Sequence, residues 1–410
     1  MPLDRLGAAL RDEVAAIEAS GTAKGRENVI TEVQPATDLR GARFKLAGFE
    51  GREFLRMNSN SYLGMSLGQE LLGAKEAAAK KFGVGPGGVR FISGTFEPHV
   101  HLEQELARFH GREACMLTAA AYTSVVGVLQ TLTTPDTGII SDELNHNSII
   151  NGIRLAHPRV KKVYPHLNVR ALEEQIQACV GQVQGLLVIT DGIFSMRGAV
   201  APLVGISGVV RKYDPQFPRN IVLVVDDSHG VGGFGPTGRG TEEYCGSEPS
   251  DILIGTLGKA FGVNGGYIVT TRTLVAYLRE RNPLYIYTNP ISASEAAAAL
   301  ACLSHLQSPT GAGLLAHLRR MTARFRQGLS GLGYESIDSE HPVVPLFVRD
   351  TEKTSALVKF LFDHDILATG LNYPIVPKGD QLVRFQVNAD HTASDIDYVL
   401  DVLRQFRSQI

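Results

Sequence analysis

Hydrophobic positions follow two rhythms along this chain. Leu3, Leu6, Leu10, Val14 and Ile17 recur at helical spacing among charged residues, which predicts an amphipathic helix over residues 1–21. A polar connector at 22–28 follows, then two short strand-like pieces, Arg43–Leu46 and Glu53–Met57, joined by a hairpin turn. From about residue 60 short apolar runs alternate with helical stretches. Strands are expected at 114–117, 138–140, 162–164, 186–189, 221–225, 251–254 and 267–270. Helices are expected at 70–82, 99–109, 169–179, 203–212, 294–306 and 311–333. Runs such as Ile221-Val222-Leu223-Val224-Val225, apolar throughout and bounded by Asn, Asp and Gly, read as buried strands paired in parallel through right-handed crossovers. After residue 335 the order becomes strand, helix, strand, helix, a compact α+β unit. The expected organisation is an N-terminal helix with short strands (1–60), a large α/β domain with a mostly parallel central sheet (61–295), and a smaller C-terminal α+β domain (296–410).

Composition narrows the function class. With 44% apolar and 20% charged residues, the 410-residue chain is that of an ordinary globular protein with room for a large core. A net charge of -2 gives no electrostatic footprint for nucleic acid. No window approaches about 18 consecutive apolar residues, so no membrane span is expected. Cys115, Cys179, Cys245 and Cys302 lack metal or redox spacing; reduced thiols and a cytoplasmic location are expected, and no metal.

Chemistry collects at the ends of the strands. Asp226, Asp227 and His229 follow the run 221–225, and Lys259 follows Ile252-Leu253-Ile254 by five residues. Open α/β sheets carry their sites at the carboxyl ends of strands. A carboxylate, a histidine and a lysine there are what a pyridoxal phosphate (PLP) enzyme needs: an acid facing the pyridine nitrogen and an amine for the Schiff base. Each has a plainer alternative. Lys259 could be a surface lysine, Asp226 and Asp227 could cap the next loop, and His146 in Asn145-His146-Asn147-Ser148 could be structural. Arg384 shares a strand face with Gln386, where it could clamp a carboxylate or form a surface ion pair. Gly230-Val231-Gly232-Gly233-Phe234-Gly235 fits a dinucleotide fingerprint in spacing only. Four residues separate it from the strand, and Pro236-Thr237-Gly238 cannot continue as helix. Gly258-Lys259 is no phosphate loop of the Walker type, since Leu253 and Ala260 stand where Gly and Ser or Thr are required.

Taken together, Ser59-Asn60-Ser61-Tyr62-Leu63-Gly64, Val89-Arg90-Phe91-Ile92-Ser93-Gly94-Thr95 with His99, Ile140-Ser141-Asp142 through His146, Thr190-Asp191-Gly192-Ile193-Phe194-Ser195-Met196, the segments around Asp226 and Lys259, and Pro377-Lys378-Gly379 to Arg384 resemble the α-oxoamine synthases over nearly the whole chain. These are fold-type-I PLP-dependent transferases that condense an amino acid with an acyl-CoA. Val89-Arg90-Phe91-Ile92, Tyr244-Cys245 and Tyr373-Pro374-Ile375-Val376-Pro377 resemble the glycine C-acetyltransferase branch.

The resemblance implies Lys259 as Schiff-base lysine, Asp226 at the pyridine nitrogen and His146 stacked on the ring. It implies His229 and Ser195 at the phenolic oxygen, and Thr256, Ala121 and Tyr122 at the phosphate. It implies Arg384 and Asn60 at the substrate carboxylate, and a homodimer in which Thr288 reaches the partner's phosphate. Glycine and acetyl-CoA are the expected substrates, giving an α-amino-β-keto acid that can lose CO2, with longer or carrier-bound acyl groups, or alanine or serine, as alternatives, and a non-catalytic ligand-binding member of the fold as a remote one. Four positions depart from the family pattern. Thr123-Ser124-Val125 lacks the usual asparagine, Arg197 replaces an Asp, Pro290 replaces a hydroxyl residue, and Phe261-Gly262-Val263-Asn264 differs from the Gly-rich form.

Overall fold

The computed structural model describes residues 3–408 except 21, 22, 24 and 26, so parts of the expected first helix and of the 22–28 connector lie outside the described residues. The chain divides into two compact units, one formed by residues 1–59, 321–338 and 343–410, the other by 60–320 and 339–342.

The larger unit is built on a seven-stranded sheet. Its spatial order is Ala114–Thr118, Gly266–Thr270, Ile252–Thr256, Ile221–Asp226, Gly185–Asp191, Thr137–Asp142, Val160–Tyr164. The strand Gly185–Asp191 is buried along its whole length, as expected where helices cover both faces of a sheet. Ile139, Leu187, Ile189, Val224, Ile252, Ile254 and Ile268 contribute to one continuous core with residues of flanking helices.

Parallel pairing holds among five strands. Gly266–Thr270 instead runs antiparallel to both of its neighbours. The reason is the connection from Thr256 to Gly266, which is shorter than the dozen or so residues that a parallel crossover needs. Two helices absent from the sequence reading also flank this sheet, Ala121–Leu132 and Asn147–Ala156.

The boundary expected at 295 falls inside the larger unit. The helix Ala293–Leu306 begins at Ser292, whose hydroxyl accepts from the Glu295 N–H while the Glu295 carboxylate accepts from the Ser292 N–H. It packs on helices Gln69–Phe82 and Glu97–Phe109, with Cys302 against Met65. His99 Nε2 bonds the Ile291 carbonyl at 2.8 Å, tying its start to the same core.

The smaller unit joins the first 59 residues to the C-terminal segment. Arg43–Leu46 and Phe54–Arg56 form the expected hairpin, widened by Ile30–Gln34 on one side and by Ile366–Leu367, in parallel, on the other. A second sheet pairs Leu382–Gln386 with Val343–Phe347 and Thr369–Leu371. Phe49, Phe54 and Phe362 meet with ring centroids 4.9–6.1 Å apart. The helix Asp4–Ala19 has no buried residue.

Candidate active site

A cavity of about 270 Å³ lies in the larger unit at the carboxyl ends of its strands. Ala121, Tyr122, His146, Ser195, Asp226, His229, Thr256 and Lys259 all line it, with Ala120, Ser148, Asp191, Ile193 and Ser228. Eight residues singled out from the sequence therefore converge on one volume.

Asp226 ends its strand in register with Asp191 of the neighbouring strand. Its Oδ1 accepts from the Ser228 N–H at 3.1 Å and from the Ser228 hydroxyl at 2.5 Å. Asp227 turns away from the cavity. Its carboxylate accepts from the Thr241 N–H at 2.7 Å and the Thr241 hydroxyl at 2.5 Å. Both acids therefore cap the loop that follows, Asp226 through Ser228 and Asp227 through Thr241, and of the two Asp226 is the one that also lines the cavity. Burial pushes the Asp227 carboxyl up to about 7, against the lowering effect of the Thr241 bonds.

The glycines of the fingerprint-like segment serve this packing. A Cβ on Gly230 or on Gly240 would stand 2.2 Å and 1.9 Å from Asp227 carboxylate oxygens, and the segment forms turns with no helix.

Lys259 sits half-buried in the short connection after Ile252–Thr256. Two ties shape that connection: the Lys259 carbonyl accepts from the Gly262 N–H at 2.9 Å, and Thr256 Oγ1 accepts from the Gly258 N–H at 3.1 Å while donating to the Gly265 carbonyl at 3.2 Å.

His146 caps the helix Asn147–Ala156. Its Nδ1 accepts from the Ser148 N–H at 3.2 Å and meets the Ser148 hydroxyl at 2.8 Å, so the neutral ring carries its proton on Nε2. Burial holds its pKa below the usual range; Lys259 adds to this and Asp226 opposes it. A neutral, flat imidazole results.

Asp191 was not picked out from the sequence as a site residue, although it too ends a buried strand. Its Oδ2 accepts from the His146 N–H at 2.9 Å, and its own N–H donates to Asn145 Oδ1 at 2.8 Å. Burial, then the neighbouring Asp226 charge, pushes its carboxyl well above the carboxylate range. The strand-end rule that selected Asp226 applies to Asp191 equally.

The helix Ala121–Leu132 presents its first turn to the cavity, with backbone N–H groups that have no intrahelical acceptor. The backbone of Gly266 closes against this turn, where a Cβ would stand 2.3 Å from the Ala121 nitrogen. Thr123 and Ser124, at the departing positions, spend their hydroxyls on the Ala120 carbonyl at 2.7 and 3.3 Å.

Three expected residues are not among those lining the cavity. Asn60 is half-buried at the start of the larger unit. Thr288 is half-buried just beyond the short helix Pro283–Ile286. Arg384 lies on the strand Leu382–Gln386 of the smaller unit. Among the described residues, no group of three or more His, Cys, Asp or Glu side chains is arranged to hold a metal ion.

This donor set fits pyridoxal phosphate. It offers an amine for the aldehyde, a strand-end carboxylate for the pyridine nitrogen, hydroxyl and imidazole groups for the phenolic oxygen, and a helix N-terminus for the phosphate.

Comparison with known proteins agrees. Residues 52–403 match the family described as Aminotransferase class I and II. The chain is 35% identical over 393 residues to 8-amino-7-oxononanoate synthase of Petrotoga mobilis, covering 95% of each chain. It is 36% identical over 398 residues to the mitochondrial 2-amino-3-ketobutyrate coenzyme A ligase of Homo sapiens, covering 96% of this chain and 90% of that one. A solved structure of SPT with PLP superposes with a TM-score of 0.88 at 25% identity, covering 100% of this chain and 98% of the other.

Proposed function

The chain belongs to the Aminotransferase class I and II family and, within it, to the PLP-dependent α-oxoamine synthases, and from that membership we propose that it condenses glycine with a short acyl group carried on coenzyme A, acetyl-CoA being the first choice. The observation that carries the reading is the convergence of Lys259, Asp226, His146, His229, Ser195 and Thr256 on one cavity.

When bound, PLP supplies an electron sink for negative charge at the α-carbon of an amino acid. Lys259 is the amine that would hold the cofactor and would accept the glycine α-proton; a half-buried lysine suits that work. Asp226, held by Ser228, would keep the pyridine nitrogen protonated. Ala121, Tyr122 and Thr256 would receive the phosphate, and His146 would cover the ring as a neutral imidazole. His229 and Ser195 would bond the phenolic oxygen. Arg384, whose planar fork matches a carboxylate, is assigned with Asn60 to the glycine carboxylate. The product is an α-amino-β-keto acid plus CoA, with loss of CO2 available to the acid.

The proposal includes a homodimer in which Thr288 reaches the partner's phosphate. Val84, Phe91, Ile92 and Tyr287 support it, since all are strongly exposed apolar or aromatic side chains. A cytoplasmic location is part of the same reading, supported by four unpaired cysteines. Among the described residues no helix is long and apolar enough to cross a membrane.

A second reading keeps the chemistry and changes the acyl donor to a longer or carrier-bound group. It is favoured by the near-equal identity to 8-amino-7-oxononanoate synthase and to 2-amino-3-ketobutyrate coenzyme A ligase. Release of the acyl carrier's thiol, assayed with glycine, alanine and serine against acetyl-CoA, longer acyl-CoAs and acyl-carrier protein, separates the two. Highest turnover with glycine and acetyl-CoA is expected; preference for a long or carrier-bound acyl group overturns the first reading in favour of the second.

A further inference from the structure

His229 is held from two directions by residues that the proposed chemistry does not use. The hydroxyl of Tyr62 lies 2.6 Å from His229 Nδ1. The carbonyl of His229 accepts a hydrogen bond from Nε2 of His341 at 2.9 Å. Tyr62 and His341 also meet edge to face, with ring centroids 5.5 Å apart. Tyr62 is fully buried. Gly233 makes room for its ring, since a Cβ there would stand 3.1 Å from the Tyr62 Cβ.

The backbone of Tyr62 is itself unusual, with φ at 35°. A bulky L-residue in the left-handed region is disfavoured and persists only where its surroundings fix it; such outliers concentrate at functional sites. The strained backbone delivers one polar atom of Tyr62, its hydroxyl, to one ring nitrogen of a histidine that lines the cavity.

We propose that Tyr62 is a positioning residue whose hydroxyl donates to His229 Nδ1, so that neutral His229 carries its proton on Nε2 and presents a hydrogen-bond donor to the cavity. This rests on the reading that His229 bonds the phenolic oxygen of PLP. A neutral imidazole has one donor and one acceptor nitrogen, and the partner of the first fixes the role of the second. With Tyr62 as donor, Nε2–H stabilises a deprotonated oxygen opposite it. With Tyr62 as acceptor, a lone pair would face that oxygen and repel it.

The test compares holoenzyme forms of the wild type, Tyr62→Phe, His229→Gln and the double variant. Two readouts are taken: the pH midpoint of the cofactor's visible absorption, and kcat with the amino-acid KM. Removing the hydroxyl from Tyr62 frees His229 to take the other tautomer and so weakens the Nε2–H donor to the ionised oxygen, which should raise the absorption midpoint by about 0.5–1 unit. It should lower kcat about tenfold, the effect of one hydrogen bond made in the transition state, with KM changed less than about twofold. Because Tyr62 acts through His229, the double variant should fall no lower than His229→Gln alone. A shifted midpoint in His229→Gln with an unshifted one in Tyr62→Phe, or losses that add in the double variant, overturns the proposal and leaves the His229 assignment standing. An unshifted midpoint in His229→Gln shows that the assignment itself failed, and the proposal falls with it.

Discussion

Asp227→Asn should flatten the pH dependence of stability between pH 5.5 and 8. The wild-type carboxyl is fully buried, its pKa raised to about 7 by that burial and, to a smaller degree, by Glu242 and Asp226. In the unfolded chain the same group titrates near 3.9. Between those values the native state holds a proton that the unfolded state has released, so stability falls as pH rises and the loss is complete once pH passes the folded value. At pH 5.5 the gap to about 7 is about 1.5 units at about 1.36 kcal/mol each, or about 2 kcal/mol, and by pH 8 almost nothing remains. Asparagine cannot ionise, and it has the shape that the space between Gly192, Gly230 and Gly240 accepts. The wild-type holoenzyme and the variant would be unfolded in urea at pH 5.5, 6.5, 7.5 and 8. The stability difference between them should move by about 2 kcal/mol in favour of the variant from the lowest to the highest pH. A difference that stays constant with pH would show that Asp227 is ionised throughout, and would refute the argument from burial.

Gly266→Ala should weaken PLP binding at least about tenfold, because its Cβ would stand 2.3 Å from the Ala121 nitrogen and displace the helix turn assigned to the phosphate. Equilibrium dialysis of the cofactor checks this, and unchanged affinity would contradict the assignment. Asp395→Asn should make the protein less stable at neutral pH and remove part of its acid sensitivity. The wild-type carboxylate accepts from Arg43 at 2.6 Å and from the Gly41 N–H at 2.8 Å. Its pKa is lowered by hydrogen bonds from Thr392, Arg43 and Gly41 in spite of burial. The stabilisation is therefore present above about pH 4 and lost as pH falls through the depressed folded value. Thermal melts at pH 7 and pH 3 should show the gap between wild type and variant closing at the lower pH.

The sheet was legible because its strands are nearly unbroken runs of Val, Ile and Leu, as in Ile221–Asp226 and Ile252–Thr256. What bounded those runs also revealed Asp226 and Lys259. The helix Ala121–Leu132 does carry helical spacing in Val125, Val128, Leu129 and Leu132, but the β-branched Val125, Val126 and Val128 weaken its helix propensity and masked it. The reversed strand Gly266–Thr270 could have been read from its short connection to Thr256. Tyr62 could not: 167 residues separate it from His229, and only the folded chain brings its hydroxyl to the imidazole. The side on which Ala293–Leu306 falls was hidden for a similar reason. Ala-rich helices such as Ala293–Leu306 look alike in sequence, and which core they join depends on tertiary contacts like that of His99 with the Ile291 carbonyl.

Borohydride reduction of the holoenzyme, followed by proteolysis and peptide mass spectrometry, identifies the lysine that holds the cofactor. A phosphopyridoxyl group fixed to the peptide that carries Lys259 is expected, and no label in a Lys259→Ala variant. Labelling on another lysine, or none at all in PLP-saturated wild type, would contradict it.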